Sequence, residues 1–319
     1  MKVSLVVSVF NEQEVLPLFW KEIQKVATKW DIEALEVVWV NDGSNDGSLS
    51  FVQSILKESH ATDKWSHQSI EFSRNFGHEA AMIAGIDYAT GDVVVCLDAD
   101  LQHPPELLPA MLQKHLDGYD IVTMSRKSRT DKRLMQKASA LFYRFLNALS
   151  DFHFEQNASD FFLISARVAD ILRKNFRERN RFLRGYVQAL GFDKTSLSYD
   201  AGTRGAGQSK YHLSSLFSLA VVAIFSFSRK PLYAAMTMSA FFFLFTLGLG
   251  GYSFWVYLFG DTPPPGYTSI ILFLSVSFTM LFFVLAVLSM YIGKGVEEMQ
   301  ERPIYLVKER LSSKIQNQA

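Results

Sequence analysis

The chain has 319 residues, enough for one large domain or two ordinary ones. Its 32 basic and 32 acidic side chains cancel, which argues against a nucleic-acid binder. The single cysteine, Cys96, excludes an internal disulfide and, lying among valines, reads as a small core residue in a reducing, cytoplasmic setting.

Met1-Lys2 leads straight into a short β-branched run, Val3 to Val9, so no signal peptide is expected. Glu14 to Trp30 has helical spacing, with Leu16, Phe19, Ile23 and Val26 on one face. Glu36 to Val40 is a second strand, stopped by Asn41-Asp42-Gly43-Ser44. That cluster caps a helix over Ser48 to Glu58. Ser69 to Phe72 is a third strand and His78 to Ala89 a third helix, with His78 read as a surface residue near the cap. Val93 to Leu97 forms a strand that ends at Asp98-Ala99-Asp100. Pro104-Pro105-Glu106 opens a helix, with proline at a tolerated first-turn position. Asp120 to Met124 is a strand, Ser125 to Arg133 a basic loop, Lys132 to Leu149 a helix, and Asp160 to Ser165 a strand. Phe176 to Leu190 is rich in arginine and aromatic residues. A glycine-bearing loop, 202–210, follows Tyr199.

From there the character changes. Residues 231–293 contain no Lys or Arg and one acid, Asp261. Two apolar blocks, Leu232 to Phe259 and Tyr267 to Ile292, each exceed the ~20 residues that cross a bilayer. A polar, Pro-rich turn separates them. Arg229 and Lys230 precede the pair; Lys294, Arg302, Lys308 and Arg310 follow it. The positive-inside rule then puts both termini and the catalytic part in the cytoplasm. Tyr211 to Ser228 is too interrupted to span and is expected to lie along the membrane surface, and the tail after Lys294 is likewise amphipathic. The expected domains are 1–210 (catalytic), 211–230 (juxtamembrane helix), 231–293 (hairpin) and 294–319 (amphipathic tail).

The alternation over the first 200 or so residues is that of an α/β fold with a mostly parallel sheet. Such sheets bind ligands at the carboxyl ends of their strands. Three of those ends carry polar clusters: Asn11-Glu12, Asp42 and Asp98-Ala99-Asp100. Taken singly, Asn11 serves as well for a helix cap and Asp42 for an Asx turn. Two acids one residue apart at a buried strand end call for a compensating cation, and a hard divalent ion carrying phosphates meets that need. All three opening on one edge point to a nucleoside-diphosphate site.

Val9-Phe10-Asn11-Glu12, Val40-Asn41-Asp42-Gly43-Ser44, Ser73-Arg74-Asn75-Phe76-Gly77 and Leu97-Asp98-Ala99-Asp100-Leu101-Gln102 resemble the inverting glycosyltransferases of family 2, which have the Rossmann-like GT-A fold. Arg181-Phe182-Leu183-Arg184-Gly185, Gly207-Gln208-Ser209-Lys210-Tyr211, Ser226-Phe227-Ser228 and Arg302-Pro303-Ile304-Tyr305-Leu306-Val307 extend the resemblance to the polyprenyl-phosphate subgroup, the bactoprenol glucosyltransferases and dolichol-phosphate mannose synthase. The resemblance implies a GT-A sheet domain followed by a two-helix transmembrane hairpin with flanking amphipathic juxtamembrane helices. The implied activity is that of a hexosyltransferase. It moves a sugar from a nucleotide-sugar donor, with UDP favoured, to a membrane polyprenyl phosphate with inversion. The product serves cell-envelope glycan modification, and a separate flippase carries it across the membrane.

Residue by residue, the resemblance gives Phe10, Asn11, Glu12, Asp42, Arg74 and Asp98 to the donor. Asp98, Asp100 and Gln102 would hold Mg²⁺ or Mn²⁺. Arg126, Arg204 and Lys210 would hold the acceptor phosphate. Asp98, Asp100, Asp160 and Arg126 form the catalytic set, with Asp160 orienting the acceptor or acting as a weak base. Lys127, Arg129, Lys132 and Arg133 read instead as a solvated basic surface beside anionic lipid. The chain departs from the family pattern at Ser159 (Gly), Phe162 (Arg) and Ala189 (often Trp), where sugar or acceptor is selected. A processive polysaccharide synthase is the alternative enzyme, but the chain lacks a Gln-x-x-Arg-Trp motif and further apolar segments. A non-catalytic membrane nucleotide-sugar-binding protein is the other, and retention of Asp42, Asp98 and Asp100 argues against it. The sugar, the nucleotide, the polyprenol length and any homo-oligomer stay open.

Overall fold

The computed structural model describes residues 1–28, 30–58, 64–126, 158–178, 183–199, 230–259 and 266–313. They fall into two compact units. One holds the whole sheet and takes in the segment from Arg302 onward; the other holds the two long apolar helices.

The chain opens with strand β1 (Lys2–Val9), helix α1 (Leu16–Ala27), β2 (Ala34–Asn41), α2 (Ser48–Glu58), β3 (Trp65–Phe72), α3 (His78–Tyr88) and β4 (Val93–Asp98). A 3₁₀ turn at Pro105–Leu107 leads into α4 (Leu108–Leu116). Then come β5 (Ile121–Arg126), β6 (Ala158–Ser165), α5 (Ala166–Asn175), α6 (Leu183–Ala189) and β7 (Lys194–Tyr199). The apolar helices α7 (Lys230–Phe259) and α8 (Tyr267–Met299) precede a last strand, β8 (Val307–Ser312).

The eight strands run β7-β5-β6-β4-β1-β2-β3-β8. β1 pairs in parallel with β2 and β4, β2 with β3, and β5 with β7. β6 and β8 are the two antiparallel members. The mixed α/β, GT-A-like sheet expected from the sequence is present. The reversal at β6 matters for the site. Because β6 runs against β4, it begins at the edge where β4 ends. Cys96 lies across from Phe162; two residues further, the register carries Asp98 toward Asp160.

The central strands are buried on both faces and read as continuous apolar runs, as parallel strands do. Leu5, Val7, Val37, Trp39, Val93, Val95 and Leu97 pack with Phe19 and Ile23 of α1. On the other face α3 is buried without a break from Ala80 to Ile86. Its approach to β1 is set by Gly85, where an added Cβ would fall 2.0 Å from a methyl of Val6. Only glycine lets the helix come this close, and the helix start at His78 is thereby held at the ligand-binding edge.

Two strands depart from the sequence reading. β7 is a strand that the sequence pattern did not mark, because it alternates among mostly polar residues. The tail is not an amphipathic helix over 307–312: β8 pairs antiparallel with β3 and covers its open edge. Lys308 reaches Glu71 at 2.6 Å and Arg310 donates to Gln68 at 2.9 Å, while Tyr305 stacks on Phe72 with centroids 5.1 Å apart. An edge strand with buried polar Gln68 and Glu71 takes charged partners better than it takes water.

The helices α7 and α8 are each long and apolar enough to cross a membrane, with mean hydropathies of 1.8 and 2.4 over the candidate spans. Phe245 and Phe273 meet between them at 6.4 Å. Residues 211–229 of the juxtamembrane helix expected at 211–230, the helix at 132–149 and the basic loop beyond Arg126 lie outside the described residues, and Lys230 begins α7.

Candidate functional site

Three loops interlock at the carboxyl ends of β1, β2 and β3. Asn11 has a positive φ of 56°, tolerable for asparagine, and its Oδ1 accepts from the Asn45 amide at 2.9 Å. The Asn11 and Glu12 amides donate to Ser44 and Ser48 at 3.0 and 2.9 Å. Asp42 is buried at the end of β2, and its two oxygens accept from the Phe76 and Gly77 amides at 2.6 and 3.0 Å. Gly43, at φ 68°, lies where a Cβ would come within 2.7 Å of the Arg74 carbonyl carbon. Asp42 thus fixes the loop after β3 as well as standing at the pocket. Phe10 and Arg74 are exposed on these loops, and the Arg74 guanidinium sits 4.8 Å from the Phe76 ring centre.

Beside these loops an acid cluster gathers on β4, α3, β6 and α6. Ser8 donates to Asp98 Oδ1 at 3.2 Å, as the Ser8–Asp98 register of β1 and β4 allows. His78 Nδ1 lies 3.4 Å from the same oxygen, and its Nε2 lies 3.6 Å from Asp160 Oδ2, inside the protein. Arg184 Nε is 2.9 Å from Asp160 Oδ1. Glu79 accepts from the Leu183 amide at 2.8 Å. Burial alone would lower the His78 pKa, but the charge of Asp98, with Asp160 and Glu79, outweighs it and raises the ring to about 10. Burial would raise Asp160; Arg184 and His78 hold it below the ordinary carboxylate range. Glu79 is raised, by burial first and the nearby Asp160 second. The cluster thus sets two acids, Asp98 and Asp160, against the His78 ring and the Arg184 guanidinium.

The loop after β4 carries Asp100, which accepts from the Gln102 amide at 3.0 Å, and Leu101, whose φ is 61°. His103 is buried and accepts the Asp98 amide on Nδ1 at 3.0 Å. Burial pushes its pKa down, in keeping with a neutral ring. Arg126 ends β5, which runs two residues past the expected strand end at Met124, and its Nε donates to the Tyr199 hydroxyl at 3.2 Å.

The structure brings Asp98, Asp100, Gln102, Asp160 and Arg126 to one edge, together with the loops of Asn11, Glu12 and Asp42. Arg204 and Lys210 lie outside the described residues. Two groups escaped the sequence reading. His78, at the start of α3 with its side chain 38% exposed, also bridges two acids, and Arg184 supplies the cation beside Asp160. The Ser-Arg-Asn-Phe-Gly-His run was visible; its partners, on strands far along the chain, were not.

Residues 4–171 match the family model described as glycosyl transferase family 2. The chain belongs to glycosyl transferase family 2. It is 36% identical over 310 residues to an uncharacterized glycosyltransferase of Bacillus subtilis, covering 96% of this chain and 93% of that protein. It is 35% identical over 319 residues to the bactoprenol glucosyl transferase of Shigella phage SfX, covering 97% and 100%. Among solved structures, glucosyl-3-phosphoglycerate synthase of Mycobacterium tuberculosis, with Mn²⁺, UDP-glucose and phosphoglyceric acid, is similar at a TM-score of 0.46 and 16% identity, over 70% of this chain and 77% of that one.

Within this glycosyltransferase the donor chemistry of the cluster fits a divalent cation. One ligand atom each of His78, Asp98 and Asp160 lies within 4.8 Å of the others, and among the described residues no other three His, Cys, Asp or Glu side chains gather so closely. Two carboxylates suit Mg²⁺ or Mn²⁺, and the ring nitrogen favours Mn²⁺. To ligate, His78 must give up its proton. Asp98 is shared by this set and by the loop set with Asp100 and Gln102.

Proposed function

We propose that this family 2 glycosyltransferase moves a sugar from a nucleotide-sugar to the phosphate of a membrane polyprenol, with inversion and with help from a divalent cation. The observation that carries the reading is the acid cluster at the carboxyl edge of the sheet, beside the Asn11 and Asp42 loops. Full-length likeness to proteins named bactoprenol glucosyl transferase supplies the acceptor class. UDP is the favoured donor nucleotide.

In this reading Asp42, Asn11 and the loop they brace hold the nucleoside, with Phe10, Glu12 and Arg74 around it. Asp98 is the principal metal ligand, with Asp100 and Gln102 on its own loop. The bound cation would offset charge gathering on the departing diphosphate. The bond from the anomeric carbon to that diphosphate breaks as one to the acceptor phosphate forms on the opposite side. A phosphate monoester with a second pKa of ~6 is already ionised near neutrality. No strong base is then required, and Asp160, depressed and paired with Arg184, is a poor one. We assign it to positioning, and Arg126, with Arg204 and Lys210, to gripping the acceptor phosphate.

The two apolar helices would tether the catalytic domain to the membrane that holds its lipid substrate. The chain leaves the sheet after β7, passes through α7 and α8, and returns to it as β8. An even number of crossings keeps the sheet on one side, and Arg229, Lys230, Lys294 and Arg302 favour the cytoplasmic one. In this reading the segment from Arg302 onward belongs with the catalytic domain, since it groups with the sheet.

The test is transfer of labelled sugar from a panel of nucleotide-sugars to polyprenyl phosphate by the full-length protein in membranes. A polyprenyl-monophosphate sugar should form only with Mg²⁺ or Mn²⁺ and stop on chelation. Transfer to a soluble acceptor alone would overturn the acceptor assignment, and unchanged turnover in Asp100→Ala would remove Asp100 from the metal set.

A further inference from the structure

Between Arg126 and the acid loop runs a line of buried polar groups that the reaction as described does not use. Arg126 Nε–H donates to the Tyr199 hydroxyl at 3.2 Å. That hydroxyl donates to Ser159 Oγ at 3.2 Å. Ser159 Oγ lies 3.3 Å from His103 Nε2. Ser159 Oγ also accepts the Phe161 amide at 3.0 Å, and His103 Nδ1 accepts the amide of Asp98 at 3.0 Å. Tyr199, Ser159 and His103 are 3%, 6% and 1% exposed, so solvent does not compete for these bonds. Phe161 seals the line from one side, stacked on His103 at 5.2 Å and edge-on to Tyr199 at 6.1 Å.

The line joins four elements. Arg126 ends β5, Tyr199 lies across from it in register on β7, Ser159 is at the start of β6, and His103 is in the loop after β4. A long arginine at a strand end has several rotamers open to it. Donating through Nε, the inner nitrogen of the fork, fixes the plane of the guanidinium while leaving its two outer nitrogens to bind an anion. A hydroxyl that accepts from arginine and donates onward is polarised in the same sense at both ends, which strengthens each bond.

We propose that Tyr199 and Ser159 are positioning residues that set the Arg126 guanidinium against the Asp98 loop, and so tie the grip on the acceptor phosphate to the loop that holds the donor diphosphate. This rests on the assignment of Arg126 to the acceptor phosphate. Removing the Tyr199 hydroxyl frees the guanidinium without removing its charge. The loss should fall on acceptor binding, in the range set by one hydrogen bond to a charged group.

The experiment compares full-length Tyr199→Phe, Ser159→Ala and Arg126→Ala in the polyprenyl phosphate assay, with both KM values and a melting curve for each. In Tyr199→Phe the ring still packs on Phe161. The KM for polyprenyl phosphate should rise about tenfold, with the donor KM within about twofold and the melting temperature held. Ser159→Ala should do the same more weakly, and the double variant should be no worse than Tyr199→Phe, since one line is cut once. In an Arg126→Ala background Tyr199→Phe should add nothing. If Arg126→Ala raises the acceptor KM but Tyr199→Phe does not, the positioning role falls and the Arg126 assignment stands. If Arg126→Ala spares the acceptor KM, the assignment falls and takes the proposal with it. Equal rises in both KM values with a lower melting temperature mark a merely structural role and overturn it. Should Tyr199→Phe fail to fold, Ser159→Ala decides alone by the same two KM values.

Discussion

The sheet carries carboxylates at both ends of its strands, buried at one and half-buried at the other, and it treats them in opposite ways. At the amino edge Glu36 of β2 is met by neutral donors from every side. Gln68 donates at 2.7 Å, the Thr90 amide at 2.7 Å and its hydroxyl at 2.8 Å, and Ser4 adds another, with Lys2 at 3.8 Å. Burial would raise its pKa, but these bonds lower it. At the carboxyl edge Asp98, Asp160 and Glu79 crowd together and are balanced by the charges of His78 and Arg184 instead. A group satisfied by hydrogen bonds costs little and moves nothing. Acids held apart by neighbouring cations are poised to accept another cation, or a ligand that carries one.

The sharpest way to break this contrast is at Asp98. Asp98→Asn should cut sugar transfer about a thousandfold, about 4 kcal/mol of barrier, the scale seen on losing one preorganised electrostatic group. Its melting temperature should hold or rise, because one of the crowded acids is gone. A large drop in stability would make the carboxyl edge as structural as the other. Glu36→Gln should do the reverse: a loss of about 2 kcal/mol in denaturation, with the turnover number intact, because an amide nitrogen would face donors. The Glu36 contribution should be full above the ordinary value of 4.5 and fade as pH falls through the depressed one. A fall in turnover would contradict the contrast from the other side.

The smallest effect is a slope. His78 gains affinity for its proton on folding, from 6.5 to about 10. In metal-free buffer the imidazolium should therefore stabilise the protein fully below 6.5, and this should be lost as pH rises through about 10. Melting curves of wild type and His78→Gln between pH 6 and 10 should converge toward the alkaline end. Parallel curves would mean that His78 is neutral throughout.

The ends of β1, β2 and β4 were legible because each apolar run stops at an Asn or Asp, and the site edge follows from strand direction alone. Asp98 needed nothing more than its place after Val93-Val94-Val95-Cys96-Leu97. The rest required contacts across the sequence. His78 declares itself only when β6, reversed, brings Asp160 up beside Asp98. Asp42 was expected to face the donor, and its two bonds to the Phe76 and Gly77 amides depend on a loop one strand away. β7 and β8 were missed because an edge strand needs only one apolar side, so neither carries the run that marks a central strand. Ser159 showed as a departure from a family pattern, but nothing in the sequence tied its hydroxyl to Tyr199.

β8 also imposes an order on synthesis. Its residues, 307–312, are made after both apolar helices, 230–299, yet they close the sheet begun by residue 2. While the ribosome extends those helices, the β3 edge has no β8 to pair with, and a bare edge is a template for stray pairing. Translation must therefore deliver the hairpin before the catalytic sheet can be sealed. A chain cut short after Met299 would keep the Asp98 cluster's residues and lose the seal, and its fate would be decided by aggregation before catalysis could be asked of it.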